Sequence, residues 1–220
     1  MRQAFLALTV AAVIGITAGA SPAAPSQMMS PVLTKMEQAG KNLKTLQAGI
    51  TQQKVDRTLG VPENSAGTLF YKAAAAGSER VLLQYTSPIP ETVSVVGDKV
   101  TIFQPKINQV FVTTRKASAN KNRSLGFLGL GYSAAAAQLR DKYAITILGD
   151  TTVDGKPTTH IQLDPKDKSE GVLGIQIWVA HDTWLPVKYF VVEKAAKTTI
   201  TLSAMKTNQD LPDSRFEIDV

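Results

Sequence analysis

The chain has 220 residues, no cysteine and only two histidines, and its 24 lysines and arginines exceed its 18 acidic residues by +6. That composition excludes disulfides, zinc–thiolate and iron–sulfur sites, a cysteine nucleophile, a lipid anchor on cysteine and a histidine-rich metal centre. With 44% apolar and 19% charged residues, it describes an ordinary globular chain, long enough to bury one sizeable core.

The first element is an address. Met1, Arg2 and Gln3 form a short positive start, residues 4–16 are apolar apart from Thr9, and Ala18-Gly19-Ala20 is a small-residue cleavage site. This layout predicts a secretory signal peptide over residues 1–20, cut near Ala20. The run is shorter than the roughly 20 residues a membrane-spanning helix needs, and no other segment approaches that length. Export without cysteines fits a bacterial periplasm. Loss of Arg2 leaves 6 − 1 = +5 on the mature chain.

Residues 21–29 are rich in Pro, Ser and Ala and read as a flexible lead-in to a single domain over residues 30–220. Ser30 offers an N-cap with Pro31 at the first helical position. Val32, Leu33, Met36, Ala39, Leu43 and Leu46 follow at three- and four-residue spacing, which predicts one amphipathic helix of about 16 residues. The period then changes to two. Strands are predicted over residues 48–57, 67–72, 80–86, 92–96, 99–104, 109–114, 143–148, 158–163, 175–180, 187–193 and 198–205, with Gly97-Asp98 and Asp154-Gly155 as turn dipeptides. About eleven short strands joined by turns point to a mainly β fold with an antiparallel sheet or barrel rather than βαβ units. Neighbouring apolar pairs such as Leu82-Leu83, Ile102-Phe103 and Ile177-Trp178 make several strands apolar on both faces. A sandwich, a helix-covered sheet and a barrel with an apolar lumen all satisfy that pattern.

Residues 117–141 interrupt the alternation. Leu125, Phe127, Leu128, Leu130 and Tyr132 are interleaved with Gly126, Gly129 and Gly131, and Ser133 is placed to cap a short helix over residues 134–140. Many apolar groups on a glycine-weakened backbone suit a lid over an apolar cavity, or a loop packed permanently on the core. From Lys99 to Arg140 there is no acidic residue and a local charge of +7, carried by Lys99, Lys106, Arg115, Lys116, Lys121, Arg123 and Arg140. Such a stretch favours an acidic partner or anionic headgroups, or is a solvated loop.

Catalytic patterns are scarce. The glycines at 126, 129 and 131 lack the strand before them that a dinucleotide loop needs. Ser118 with Lys121, and Ser203 with Lys206, match S-x-x-K without its companion motifs. His160 lies in a strand, His181 beside Asp182 at a turn, and both read as structural. No catalytic residue, metal ligand, cofactor or nucleic-acid partner is expected.

An ordered series of segments resembles the outer-membrane lipoprotein carrier proteins (LolA-type lipoprotein-sorting proteins). Gly67-Thr68-Leu69-Phe70-Tyr71-Lys72 resembles that family's G-x-L-x-x-K strand. Arg80 through Tyr85 with Pro88, and Val95-Val96-Gly97-Asp98 followed by Ile102-Phe103-Gln104-Pro105, resemble its next hairpins. Tyr143-Ala144-Ile145 after Leu139, Ile175 to Val179 with Asp182-Thr183-Trp184-Leu185-Pro186, and the closing Leu211-Pro212-Asp213-Ser214-Arg215-Phe216 complete the series. The resemblance implies an incomplete antiparallel β-barrel of about eleven strands, with an N-terminal helix and a mid-chain helical lid over an apolar cavity. It implies a monomeric, non-enzymatic periplasmic carrier that takes acylated lipoproteins from an inner-membrane ABC lipoprotein-release transporter to an outer-membrane acceptor. The alternative is a periplasmic lipid-binding sensor or a carrier of another amphiphile. Candidates for the acyl cavity are Phe70, Leu82, Ile102, Phe103, Phe111, Trp178 and Phe190, and the lid is Leu125, Phe127, Leu128, Leu130 and Tyr132. Family members place a lid-latching arginine directly after the G-x-L-x-x-K lysine. Here Ala73 follows Lys72, so either Arg80 latches the lid from a neighbouring strand or the latch is absent.

Overall fold

The computed structural model describes residues 25–74, 78–115, 117, 136–167, 169 and 171–218. Helix α1 (Pro25–Asn42) leads into β1 (Thr45–Asp56), β2 (Pro62–Lys72), β3 (Arg80–Ser87), β4 (Glu91–Val96), β5 (Lys99–Gln104) and β6 (Gln109–Thr114). Helix α2 (Ala136–Lys142) then precedes β7 (Tyr143–Val153), β8 (Lys156–Pro165), β9 (Val172–Ala180), β10 (Pro186–Glu193) and β11 (Ala196–Thr207). All eleven strands form one antiparallel sheet in the order β6-β5-β4-β3-β2-β1-β11-β10-β9-β8-β7. The sheet is open, with β6 and β7 at its edges. Each half of the chain is a meander, and the β1–β11 ladder joins the two.

Every strand expected from the sequence is present, most of them longer than the alternation alone shows. Both turn dipeptides adopt the conformation their residues favour. Gly97 has φ 59°, while Asp154 and Gly155 have φ 48° and 76°, the left-handed pair of a two-residue hairpin. Gly67 has a different cause. A Cβ there would lie 2.0 Å from the Gln84 carbonyl oxygen, at the point where β2 and β3 shift register. The glycine of G-x-L-x-x-K is therefore required by close strand approach.

Helix α1 begins at Pro25, ahead of the expected Ser30 cap, and carries Pro31 inside it. Proline's fixed φ near −65° is helical, so near a helix start it costs a hydrogen bond without stopping the chain. Helix α2 runs Ala136–Lys142, two residues beyond the expected start and end. Ser133 and the lid residues Leu125, Phe127, Leu128, Leu130 and Tyr132 lie outside the described residues.

The main core lies on one face of the sheet. Leu46, Ala48 and Ile50 of β1 meet Leu69 and Tyr71 of β2, which meet Val81 and Leu83 of β3, and the series continues through Val93 and Val100. On the other half, Leu202 and Ile200 lead through Tyr189 and Ile177 to Ile161. Leu33 and Met36 of α1 pack into the same cluster. Eleven strands at about 4.8 Å would make a flat sheet about 50 Å wide, far wider than a helix of about 10 Å. Accumulated twist curls such a sheet around what it covers, giving an incomplete barrel with α1 on its inner face.

The opposite face explains the doubly apolar strands. Phe70 and Leu82 form a second cluster there with Leu211 and Phe216 of the C-terminal segment. Leu82 and Leu83 are both buried because one faces this segment and the other faces the barrel interior.

Candidate functional site

The inner face is aliphatic over most of its extent. Leu69, Leu83, Val93, Val100, Ile161, Ile175, Ile177, Tyr189, Val191 and Ile200 are each no more than 2% exposed. Two of its phenols, Tyr85 and Tyr71, are held neutral. The Tyr85 hydroxyl donates to Gln52 Oε1 at 3.2 Å, and burial, then the Glu91 charge, pushes its pKa up to about 12. Burial and then Glu79 raise Tyr71 in the same direction.

Helix α1 covers this face, and polar contacts hold it at its C-terminal end and half-way along. At its C-terminal end, Asn208 Nδ2 donates to the Asn42 carbonyl at 3.3 Å and its Oδ1 accepts from the Lys44 N–H at 2.8 Å. Half-way along, the Lys35 ammonium sits 4.1 Å from the centroid of the Trp184 ring. Trp184 occupies the β9–β10 turn at φ 55°, a conformation rare for a bulky residue, and its backbone N–H donates to the Ala180 carbonyl. The ring also stacks on His181 at 5.5 Å. Leu33 and Met36 add apolar packing between the helix and the sheet.

The expected cavity residues divide by strand parity. Ile102 packs against the inner cluster, and Phe111, its partner on β6, shares that face at 47% exposure. The other five lie on the outer face. Phe70 pairs with Leu82 beneath the C-terminal segment. Phe103 pairs with Thr92 opposite the Ile102–Val93 pair. Trp178 stacks on His160 at 4.2 Å under Lys188, and Phe190 pairs with Gln176. Their size suggested a lining role, but in a strand the parity of the position decides the face. The inner residues missed from the sequence include Val93, Ile161, Ile177 and Tyr189. The registers of the Gly97-Asp98 and Asp154-Gly155 hairpins hold that information, since a two-residue turn fixes which positions pair.

Arg80 is not placed to latch a cover on the inner face. Its guanidinium pairs with Asp213 at 3.1 Å on the outer side. Lys72 Nζ holds the same carboxylate at 2.8 Å and donates to the Leu211 carbonyl at 2.7 Å. The Arg215 guanidinium lies 4.2 Å from the Phe70 ring centroid, and the Ser94 hydroxyl donates to the Phe216 carbonyl. Lys72, Arg80 and the closing Leu211–Phe216 residues thus form one clamp that holds the C-terminal segment on β2–β4.

One polar group brings together residue types used in catalysis. Thr159 Oγ1 lies 2.9 Å from both Asp150 Oδ1 and His181 Nε2, and that same Nε2 is 3.4 Å from Asp150. A hydrolytic triad needs the acid on the second ring nitrogen, leaving Nε2 for the nucleophile. Here hydroxyl and carboxylate compete for one nitrogen, so the cluster cross-links β7, β8 and the β9–β10 turn. His160 Nε2 is within 3.0 Å of Gln176 Oε1 on the outer face. Among the described residues no cluster of three or more His, Asp or Glu is spaced to hold a metal ion.

A curled open sheet with an aliphatic, helix-covered inner face matches what the family comparison returns. The model of the family described as outer membrane lipoprotein carrier protein LolA matches residues 41–219. The chain belongs to the LolA family. No curated protein sequence matches it. Among solved structures, MucB matches at 16% identity and TM-score 0.56, covering 88% of this chain and 63% of MucB. An uncharacterized conserved protein from Thermus thermophilus matches at 9% identity and TM-score 0.55, covering 86% and 93%. LprF from Mycobacterium bovis matches at 15% and 0.51, covering 86% and 98%. At these identities the structures share the LolA-type fold with this chain. The chain spans less than two thirds of the MucB length.

Proposed function

We propose that this LolA-family chain is an exported, non-enzymatic carrier that shelters the acyl chains of lipoproteins against the inner face of its open barrel. In this reading residues 1–20 are removed on export, and residues 30–220 work as one carrier domain in the periplasm. Cargo is received from an inner-membrane ABC lipoprotein-release transporter and given to an outer-membrane acceptor. The observation that carries the proposal is the inner face itself: aliphatic side chains from both halves of the sheet, covered by a helix that packs on them through Leu33 and Met36.

The energetics fit that role. Burying a 16-carbon chain is worth roughly 12 kcal/mol at about 0.8 kcal/mol per methylene, so acylated cargo does not cross water unaided. A carrier that kept all of that energy as affinity would never release its load. If α1 must leave the inner face before acyl chains enter, the cost of undocking Leu33, Met36 and the Lys35–Trp184 contact is subtracted from the affinity. Ile102 and Phe111 stand near the β6 edge of that face, where a chain could enter first.

The test is native mass spectrometry of the exported chain with a synthetic triacylated lipopeptide. A one-to-one adduct, lost when Ile102 and Phe111 are both replaced by Asp, supports the proposal. A chain that stays apo refutes it. An adduct formed equally well with a single-chain amphiphile, and no transfer to outer-membrane vesicles, would favour the alternative of a sensor or a carrier of another amphiphile.

A further inference from the structure

The hairpin turns divide between the two ends of the sheet, and the two ends differ in chemistry. The β1–β2, β3–β4 and β5–β6 turns lie at one end, on adjacent hairpins. The cross-element ion pairs Lys72–Asp213, Arg115–Glu79 and Lys156–Asp182 gather at the other. Each of these three turns presents a large aliphatic side chain to solvent, whereas the β8–β9 and β10–β11 turns at the same end, on the other half of the sheet, present none among the described residues. Leu59 is 75% exposed, Val61 61%, Ile89 56% and Ile107 57%. Single exposed aliphatics are ordinary, but a contiguous set at one end of a molecule marks an interaction surface.

The turns are built to hold these side chains out. Asp56 Oδ1 accepts from the Thr58 and Leu59 N–H groups at 2.7 and 2.9 Å, which fixes the turn carrying Leu59. Ile89 stands between Pro88 and Pro90, whose rings restrict the backbone on both sides. Ile107 ends a short 3-10 turn (Pro105–Ile107) closed by Asn108 at φ 47°. Neighbouring hairpins are two strands apart, about 10 Å, so the three tips make a row about 20 Å long.

We infer that this row is a contact surface for an anionic lipid bilayer. Arg57 and Lys106 are exposed on the two outer turns, and residues 57–61, 88–90 and 105–108 include no acid. Of the acids that flank the turns, two are engaged and the third faces a lysine across the ladder. Asp56 is turned back onto its own backbone donors, Glu91 accepts from Gln104 Nε2 at 2.8 Å, and Glu63 stands opposite Lys54 in the ladder. The tips therefore offer aliphatic groups flanked by cations, the pairing that binds the boundary between headgroups and acyl chains. Protein–protein hot spots are instead dominated by Trp, Tyr and Arg seated in packed pockets. Projecting aliphatic turns with no aromatic among them suit a soft plane. This inference rests on the placement of the turns and not on the carrier reading.

The absence of cysteine makes the test direct. Leu59→Cys, Ile89→Cys and Ile107→Cys are each labelled with an environment-sensitive fluorophore in the exported chain, with Lys99→Cys as the control at the other end. Vesicles of phosphatidylethanolamine and phosphatidylglycerol should blue-shift the three tip probes and leave the control unchanged. The triple variant Leu59→Ser, Ile89→Ser, Ile107→Ser should bind those vesicles at least about tenfold more weakly with an unaltered melting curve. Silent tip probes, an equal shift at position 99, or undiminished binding by the triple variant would overturn the inference. So would tip probes that respond only to an added envelope protein, which would assign the surface to a protein partner.

Discussion

Leu33→Ala separates a movable cover from a fixed core. Leu33 is 2% exposed and sits on α1 against the inner face. Truncating a buried leucine costs about 2–5 kcal/mol, and about 2–3 kcal/mol is expected at a helix–sheet contact that can partly close. If α1 must lift before acyl chains enter, that loss falls on the closed state alone. The open fraction then rises, and the apparent affinity for cargo tightens by the same factor, roughly 30- to 140-fold at about 1.4 kcal/mol per decade. The assay is displacement of a fluorescent fatty acid by triacylated lipopeptide, run beside a thermal melt. Tighter binding with a lower melting temperature is the expected pair of results. A lower melting temperature with unchanged or weaker binding would refute the reasoning, because α1 would then be part of the wall that cargo needs.

Four further outcomes follow from single contacts. Trp184→Gly removes the ring that meets Lys35 and relieves a left-handed backbone, so cargo should enter faster in stopped-flow binding without loss of stability. Gly67→Ala drives a methyl group into the Gln84 carbonyl and should lower stability by at least about 2 kcal/mol, read by urea denaturation. The Lys72 hydrogen bond, and then Arg80, hold the Asp213 carboxyl below its ordinary range. A depressed pKa contributes stability above about pH 4 that is lost as pH falls through the folded value. Asp213→Asn should therefore loosen residues 211–216 in hydrogen exchange at neutral pH, and the difference should shrink as pH falls and the Asp213 carboxylate takes up its proton. Arg80→Leu should loosen the same residues and leave cargo release unchanged.

Local chemistry made the strands readable. Period-two alternation, Gly97-Asp98 and Asp154-Gly155 are short-range signals, and the described strands lie where these put them. The helix start was less readable, because Ser30-Pro31 is as acceptable inside an early helix turn as at its boundary. The candidate site fared worst. Phe70, Leu82, Phe103, Trp178 and Phe190 drew notice by size, yet a residue's side of a sheet depends on register and not on bulk.

By itself, then, the sequence determined the list of strands, the turn dipeptides Gly97-Asp98 and Asp154-Gly155, and the exclusion of thiol chemistry. All three depend on neighbours close in the chain or on composition. Only the tertiary structure decided which apolar side chains share the inner face, that Arg80 serves the C-terminal clamp, and that Lys35 meets Trp184. Those facts rest on contacts between residues more than a hundred positions apart, such as Arg80 with Asp213 and Ile50 with Leu202, which no local pattern encodes.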